Sequence, residues 1–271
     1  MTRPTPGRWG DLRLRVASSA VLIPIALGCI WAGGVWFAEL VALVSIALAY
    51  EWLTLCRWRL SALSLAVFTA LPLAVVAMEA NAALLALVVL LLGFAAALPF
   101  ARAAGADPLA PFGVPYLGLG CVGLVWLRLA DPGEANVVVL LLIVWASDIG
   151  AYMVGRAVGG RKLAPAISPG KTVSGAVGGL VAAMAVGLAA CLALGPQAPL
   201  RAVLLAGLTG CVAQAGDLFE SGLKRHFGVK DSGRLIPGHG GVLDRLDALV
   251  AAAPFAALLA LILGRGVVIW R

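Results

Sequence analysis

The sequence predicts an all-α, polytopic integral membrane protein with about nine transmembrane helices. Of its 271 residues, 62% are hydrophobic and only 12% are charged, and the mean hydropathy is +1.02. Apolar runs repeatedly reach the ~20 residues that a helix needs to cross a bilayer. The regular alternation of apolar and polar residues that is typical of a membrane barrel does not occur. The spans leave no room for a sizeable soluble domain.

The nine predicted spans follow one another with short connections. They are residues 16–32, 35–53, 62–78, 82–99, 111–130, 137–155, 173–194, 200–222 and 246–264. The eighth span can continue past residue 222 as an exposed helix. Residues 1–135 are apolar helices with little internal polarity, whereas residues 136–271 carry the polar groups in and beside the membrane. We therefore expect the second region to be catalytic, with the active site at the cytoplasmic interface.

Positive charge orients the predicted helices. Of the 20 Lys and Arg residues, one side of the membrane receives all but Arg128, Arg201, Arg265 and Arg271. Cytoplasmic loops carry an excess of Lys and Arg, so the N terminus and the loop after span eight are predicted to be cytoplasmic. The net charge of +7 is explained by attraction to anionic lipid headgroups. Nucleic-acid binding is not expected, because no soluble basic domain is present.

The most polar part of the chain is residues 221–247, SGLKRHFGVKDSGRLIPGHGGVLDRLD, hereafter the signature segment. Charges close to a bilayer are costly, so such a cluster predicts a functional site. Its cations, and the glycine-rich turn that leads into a helix, can bind phosphates. Asp244 and Asp247 share one face at the start of the last span and can bind a divalent metal. The alternative is that acidic residues simply favour a helix N terminus.

Four other polar residues each have two or more interpretations. Asp217 and Lys224 lie along one stripe of a helix with Glu220 or Ser221, either as site residues or as charges that snorkel at a helix end. His239 can be a proton donor, a phosphate contact or a group that caps the turn. Asp148 lies inside a span, where an unpaired Asp costs about 2.5–3.5 kcal/mol. It is expected to face a polar cavity, the alternative being a hydrogen bond to a neighbouring helix.

The stretch Ser168-Pro-Gly-Lys-Thr172 is not interpreted as a nucleotide-binding P-loop. That motif needs a glycine at position 165, where this chain has Pro165, and a preceding strand, which is not expected here. Lys171 at the start of a span remains a candidate contact for a phosphate or a lipid headgroup.

The signature segment resembles, without a break, the signature of the CTP:phosphatidate cytidylyltransferases, also called CDP-diacylglycerol synthases. The matching positions are Ser221, Leu223, Lys224, Arg225, Lys230, Asp231, Gly233, Ile236, Pro237, His239, Gly240, Gly241, Asp244, Arg245 and Asp247. Two further motifs of the family are matched in the family's order by residues 147–152 and 168–172. The resemblance covers roughly residues 140–250. The family usually has an acidic residue two positions after Thr172, where this chain has Ser174.

The resemblance implies an enzyme that converts CTP and phosphatidate to CDP-diacylglycerol and pyrophosphate in phospholipid biosynthesis. The catalytic residues that it implies are Asp217, Lys224, Asp244 and Asp247. The three aspartates are expected to bind Mg²⁺ or another divalent cation, with a monovalent cation as a further candidate. Substrate contacts are implied at Asp148, Ser168, Lys171, Thr172, Ser221, Arg225, Lys230, Asp231, His239, Gly240, Gly241 and Arg245. The expected partners are CTP, phosphatidate and membrane lipids, in a homodimer of a bacterial inner membrane.

Two alternative functions are considered, one a different transfer reaction and the other membrane transport. A CTP-dependent lipid kinase would transfer the γ-phosphoryl group of CTP to a lipid alcohol. An ion-coupled transporter would use Asp148 and Asp217, but the chain lacks paired broken helices in matching halves, and its polar residues concentrate in one loop.

Overall fold

The computed structural model describes residues 8–195, 197–264 and 270. Its helices are α1 (Arg8–Ala32), α2 (Gly34–Leu55), α3 (Ala62–Phe68), α4 (Ala70–Glu79), α5 (Ala83–Ala103), α6 (Gly113–Leu129), α7 (Gly133–Val158), α8 (Val173–Leu194), α9 (Pro199–His226) and α10 (Leu243–Leu263). A 3₁₀ turn (Ala110–Phe112) precedes α6. Strands β1 (Lys162–Ala164) and β2 (Ser168–Thr172) form an antiparallel hairpin between α7 and α8. Arg3, Arg265 and Arg271, and the side chains of Arg8, Arg13 and Arg15, lie outside the described residues.

The protein is a multi-pass helical membrane protein, as predicted. Within the described residues, eight helical segments are long and apolar enough to cross a membrane. They correspond to α2, the α3–α4 pair, α5, the 3₁₀ turn with α6, α7, α8, α9 and α10. The first predicted span corresponds to the shorter apolar part of α1, Val16–Ala32. The β-hairpin departs from the all-α expectation, because residues 162–172 were expected to form a loop.

Two local differences from the predicted spans have clear causes. The third span is divided at Thr69 into α3 and α4. Pro72 explains the break, because proline has no N–H to donate to the carbonyl group of Phe68 one turn earlier. The eighth span does continue past residue 222, and α9 ends at His226. This extension carries the first cations of the signature segment.

Helix α6 is central to the bundle and joins its N-terminal and C-terminal parts. It packs against α2, α4, α5, α7 and α10. Gly123 allows the closest approach to α10, because a Cβ atom at this position would lie 2.9 Å from Pro254 Cα. The buried apolar residues of α2, α4, α6 and α10 belong to one continuous core. The start of α10, which carries Asp244 and Asp247, therefore rests on a rigid support.

Helices α7 and α8 approach closely through small residues. A Cβ atom at Gly175 would lie 2.7 Å from the carbonyl oxygen of Ala151, and one at Gly179 would lie 2.6 Å from that of Ser147. Small residues at such positions allow membrane helices to pack backbone to backbone. The close contact orients α7 so that Asp148 lies beside α8 and α9.

Four connections meet at one end of the bundle, hereafter the signature end. His226 Nε2 lies 3.0 Å from Asp107 Oδ2 in the connection after α5. Arg57, after α2, donates to the carbonyl oxygen of Phe227 at 3.2 Å. Arg225 donates to Ile167 O in the hairpin after α7 at 3.4 Å. The signature segment is thus fastened to each of the other three connections.

The topology makes a direct prediction about the two ends of the bundle. In a cysteine-free background, Val229→Cys in the signature segment and Gln197→Cys between α8 and α9 both place an exposed thiol at a helix connection. An impermeant maleimide added to intact cells should label Gln197→Cys only, because the signature end carries most cations and is expected to be cytoplasmic. Membrane disruption should then expose Val229→Cys. Labelling of Val229→Cys in intact cells would contradict the orientation.

Candidate functional site

A buried ion pair between α9 and α10 lies within the signature segment. Lys224 Nζ is 2.8 Å from Asp244 Oδ1, and the two side chains are only 12% and 8% exposed. Glu220, one turn before Lys224 and fully buried, places Oε1 3.0 Å from the same Nζ. Its other oxygen, Oε2, accepts no hydrogen bond from any described residue. The sequence offered Glu220 and Ser221 as alternatives on this stripe of α9, and only Ser221 was taken as a site residue; the four-residue spacing of Glu220 from Lys224 was the available signal.

The Asp244 carboxylate also organises the loop that precedes α10. Its Oδ2 accepts hydrogen bonds from the backbone N–H groups of Ser232 at 2.9 Å and Gly241 at 3.0 Å. Gly240, next to this contact, has a φ of +88°, a conformation that glycine adopts without strain. Asp244 therefore holds the backbone of this loop in addition to pairing with Lys224. Its assignment as a metal ligand stays a prediction.

A second ion pair joins α9 to the β-hairpin. Lys171 Nζ on β2 is 2.5 Å from Asp217 Oδ2, and each side chain is about a quarter exposed. Ser221 Oγ donates to Asp217 Oδ1 at 3.4 Å. Three residues selected from the sequence, one in the 168–172 motif and two on α9, are thus brought together. Their partial exposure leaves the pair accessible to a ligand.

The Lys171–Asp217 pair forms part of the wall of a cavity of about 600 Å³ between α7, the hairpin, α8 and α9. Asp148 also lines this cavity, which agrees with the prediction that an intramembrane aspartate faces a polar space. Arg156 and Lys162 add two more cations to the lining. Neither residue belongs to a recognised motif, so both entered the sequence analysis only as positive charges that orient the membrane spans. A cavity with three cations beside carboxylates suits a phosphate-bearing ligand.

Asp247 lies one turn along α10 from Asp244. Its backbone packs against α9 beside Asp217, since a Cβ atom at Gly216 would lie 3.1 Å from Asp247 O. Among the described residues, no group of three His, Cys, Asp or Glu side chains is placed to hold a metal ion. Magnesium commonly binds one or two carboxylates and completes its coordination with water and substrate phosphates. The carboxylates of Asp217 and Asp247 have the donor chemistry that such an ion needs, and a metal ion at these two residues stays a prediction.

The remaining polar residues of the hairpin region have structural contacts. Thr172 Oγ1 accepts a hydrogen bond at 3.0 Å from the N–H group of Gly175 and caps α8. Ser174, which replaces the family's usual acid, donates its hydroxyl to Gly159 O at the end of α7. Ser168 lies at the other end of β2, paired with Ala164. Thr172 and Ser174 thus fix where α7 ends and α8 begins.

One expectation about this region was wrong. A strand does precede residues 170–172, because β1 lies at Lys162–Ala164, and residues 170–172 themselves belong to β2. A short exposed hairpin was missed because its residues lack the alternation of apolar and polar side chains that predicts a strand. The P-loop interpretation stays excluded, since the Lys lies within a strand rather than in a glycine-rich loop and Pro165 occupies the required glycine position.

His239 turns toward α1. Its Nδ1 lies 2.9 Å from Ser18 Oγ, and its Nε2 lies 3.5 Å from Ser19 Oγ. Arg245 donates from Nε and Nη2 to His239 O at 2.9 and 2.7 Å. Of the three roles considered, these contacts favour fixing of the turn, here against α1. Roles in proton donation and phosphate binding stay predictions.

Among the described residues, the predicted substrate contacts that line the cavity are Asp148, Lys171 and Thr172. The other nine lie outside its lining, and three of them are exposed in the first half of the signature segment. Arg225 is exposed and donates to Ile167 O and to Val229 O. Lys230 and Asp231 are exposed on the signature segment. None of the three is among the described residues that line the cavity. Their position suits a ligand that approaches the signature end from water.

Comparison with known proteins gives consistent matches. The model of the family described as "Cytidylyltransferase family" matches residues 13–263. A phosphatidate cytidylyltransferase of Brucella suis biovar 1 (strain 1330) is 42% identical over 247 residues, which are 90% of this chain and 91% of the relative. A protein of the same name from Staphylococcus saprophyticus is 43% identical over 147 residues, or 54% of this chain and 56% of the relative. The Brucella match extends the similarity to the N-terminal helices.

The contacts of Asp244 lead to a stability prediction. Asp244→Asn keeps the shape but leaves the buried Lys224 without its closest anionic partner. Because Glu220 still pairs with Lys224, the free energy of unfolding in detergent should fall by about 1.5–3 kcal/mol, as for loss of hydrogen bonds to a charged group. Asp231→Asn, an exposed change in the same segment, should alter it by less than about 0.5 kcal/mol. Equal thermal unfolding midpoints for both variants would contradict the assigned contacts.

Proposed function

The chain belongs to the cytidylyltransferase family, and we infer that it is an enzyme that makes CDP-diacylglycerol from CTP and phosphatidate. It is a nucleotidyltransferase of phospholipid biosynthesis. The observation that carries this conclusion is the similarity, over nearly the whole chain, to a phosphatidate cytidylyltransferase. The signature segment lies within the matched region.

The reaction joins two anions. A phosphate oxygen of phosphatidate attacks the α-phosphorus of CTP and forms a new P–O bond. The bond from the α-phosphorus to the oxygen that bridges it to the β-phosphorus breaks, and pyrophosphate leaves with the electron pair. No covalent enzyme intermediate is required. The protein must chiefly neutralise charge and position the two phosphates, which are effects that can supply most of a rate enhancement.

We propose that the cavity beside α7 binds the phosphates. Lys171 is the central residue of this proposal because it is partly exposed and already pairs with Asp217. An incoming phosphate can replace the carboxylate as the partner of its ammonium group. Arg156 and Lys162 line the same cavity and supply further positive charge. Charge-assisted hydrogen bonds of this type are roughly twice as strong as neutral ones.

Lys224 is proposed to act two turns beyond Asp217 on the same stripe of α9, outside the described lining of the cavity. Its ammonium group lies between Glu220 and Asp244, with little exposure. It can donate to a phosphate oxygen only if it loosens one of these contacts. The exposed Arg225 and Lys230 are proposed to attract the triphosphate before it enters.

A divalent cation, Mg²⁺ or another, is proposed at Asp217 and Asp247. When bound, such an ion would offset the negative charge of both substrates and of the leaving pyrophosphate. The protein's own contribution is to hold these two carboxylates on neighbouring helices, and Asp217 becomes available for the cation when a phosphate takes its place at Lys171. Asp244 joins this set only if Lys224 gives up its contact. A monovalent cation stays a further proposal.

We also propose nine membrane passes with the signature end in the cytoplasm, where CTP is available. The distribution of Lys and Arg supports this orientation, and a bacterial inner membrane is the proposed location. The division into an N-terminal region, 1–135, and a catalytic region, 136–271, is retained on functional grounds. The homodimer implied by the family resemblance is likewise a proposal.

The fate of labelled CTP tests the function. With phosphatidate and the purified protein, label at the α-phosphate should appear in the lipid product, and label at the γ-phosphate should appear in pyrophosphate. A lipid kinase would instead transfer the γ-label to a lipid alcohol such as diacylglycerol. With the present protein, diacylglycerol offered as the acceptor should remain unlabelled. Transfer of the γ-label to any lipid, or no transfer of either label, would overturn the proposed reaction.

The metal proposal concerns Asp217 and Asp247 specifically. Asp217→Asn and Asp247→Asn should each lower turnover by about 100-fold or more, as loss of a key electrostatic contact does. High metal concentration should partly restore Asp247→Asn. Mn²⁺ bound in the presence of CTP, measured by electron paramagnetic resonance, should decrease in parallel.

Asp131→Asn provides the matched control for these variants, because Asp131 is exposed at the opposite end of the bundle. It should keep both turnover and Mn²⁺ binding. Metal-dependent turnover in the Asp217→Asn, Asp247→Asn double variant would refute the site.

A further inference from the structure

Glu51, near the end of α2, contacts the signature segment although it lies far from it in the sequence. The residue is 1% exposed. Its Oε1 accepts a hydrogen bond from the N–H group of Val242 at 3.0 Å. Its Oε2 accepts from the N–H group of Leu243 at 2.8 Å and from Ser232 Oγ at 3.2 Å. One buried carboxylate thus receives three hydrogen bonds from the signature segment.

These contacts cap α10 from another helix. The first N–H groups of a helix have no partner within it, and Val242 at the start of α10 makes no capping hydrogen bond through its own side chain. Glu51 satisfies the N–H groups of Val242 and Leu243 in its place. A carboxylate at this point also interacts favourably with the helix dipole. The cap comes from a residue 191 positions earlier in the chain than Val242.

Two glycines of the signature segment make room for this carboxylate. A Cβ atom at Gly233 would overlap Glu51 Oε1, and one at Gly241 would lie 2.6 Å from Oε2. Neither glycine has a positive φ, so backbone conformation does not require them. The need for space around Glu51 explains why both positions are glycine.

The same loop is held by Asp244 from the other side. Ser232 offers its hydroxyl to Glu51 and its N–H to Asp244. Gly241 donates its N–H to Asp244 and packs against Glu51. Because Asp244 in turn contacts Lys224, the position of Lys224 depends on how firmly this loop is fixed.

We propose that Glu51 is a positioning residue for cytidylyl transfer, which fixes the loop and the start of α10 so that Asp244 and Lys224 face the reacting phosphates. The proposal rests on the proposed function of the chain. It assigns to the N-terminal region a direct part in arranging the active site. A carboxylate is specifically required, because both of its oxygens accept hydrogen bonds, whereas glutamine would turn an NH₂ group toward a backbone donor.

The first test compares two glutamates of the same helix. Glu51→Gln should lower turnover at saturating CTP and phosphatidate by about 10- to 100-fold, as loss of hydrogen bonds to a charged group does. Glu39→Gln, an exposed change on α2, should leave turnover unchanged. Trypsin cleavage after the exposed Arg234 should be faster in Glu51→Gln only, which reports loosening of the loop independently of activity. Unchanged turnover and cleavage in Glu51→Gln would overturn the proposal.

A double-variant cycle separates a specific contact from general damage. Gly233→Ala should lower turnover about tenfold in the unmodified chain, because the new methyl group displaces the carboxylate. In a Glu51→Ala background it should have no further effect. Gly222→Ala, where a Cβ atom would meet only ordinary contacts at 3.8 Å, should be silent in both backgrounds. An additive effect of Gly233→Ala would refute the proposal.

The Glu51 variants can fail to accumulate, and the unmodified protein can fail to transfer the cytidylyl group; each outcome has its own reading. If Glu51 variants do not accumulate, Gly233→Ala and Gly233→Val test the same contact from the other side. Turnover should then decrease with side-chain size while Gly222→Ala remains active, and no effect at Gly233 would refute the role of Glu51. Absence of cytidylyl transfer in the unmodified protein would instead refute the proposed function. The trypsin experiment would still report on the loop.

Discussion

The buried Lys224–Asp244 pair is the interaction on which the arrangement of the signature end depends. A charged group with little exposure costs free energy unless it is paired and hydrogen-bonded. Here the pair joins α9 to α10, while the second oxygen of Asp244 holds two backbone N–H groups of the intervening loop. A single carboxylate thereby determines the relative position of two helices and the path of the chain between them.

Close helix packing provides the second requirement of the site. Because α7 and α8 meet through glycine, Asp148 comes to line the same cavity as residues of α8 and α9. The hairpin that follows α7 then places Lys171 against Asp217. The resulting cavity has apolar walls and a few charges, which is the usual composition of a ligand site.

The N-terminal helices contribute more than a hydrophobic support. Ser18 on α1 contacts His239 in the signature turn, and Arg57 after α2 contacts the backbone just beyond α9. At the opposite end, Arg128 donates to the carbonyl oxygen of Ile30 and holds the end of α1. Helix α1 is thus attached at both ends of the bundle, although its apolar part is shorter than the other spans. These contacts fix the outer helices relative to the signature segment.

The sequence by itself determined the membrane-spanning helices, the segment that carries the chemistry and the family, because hydrophobic length and motif spacing are local properties of the chain. It also indicated that Asp148 needs a polar surrounding, since the cost of an isolated charge in a membrane does not depend on fold details. It did not indicate Glu51, whose hydrogen-bond partners Val242 and Leu243 are distant in the chain. Nor did it indicate Arg156 and Lys162 as site residues, because only the fold brings them to one cavity. The folded structure was needed to show that Asp244 pairs with Lys224 and accepts hydrogen bonds from backbone N–H groups. It was also needed to show that Asp217 pairs with Lys171. The physical reason is that a carboxylate binds whichever donors the packing of helices brings to it, and that packing is not encoded in the spacing of any one motif.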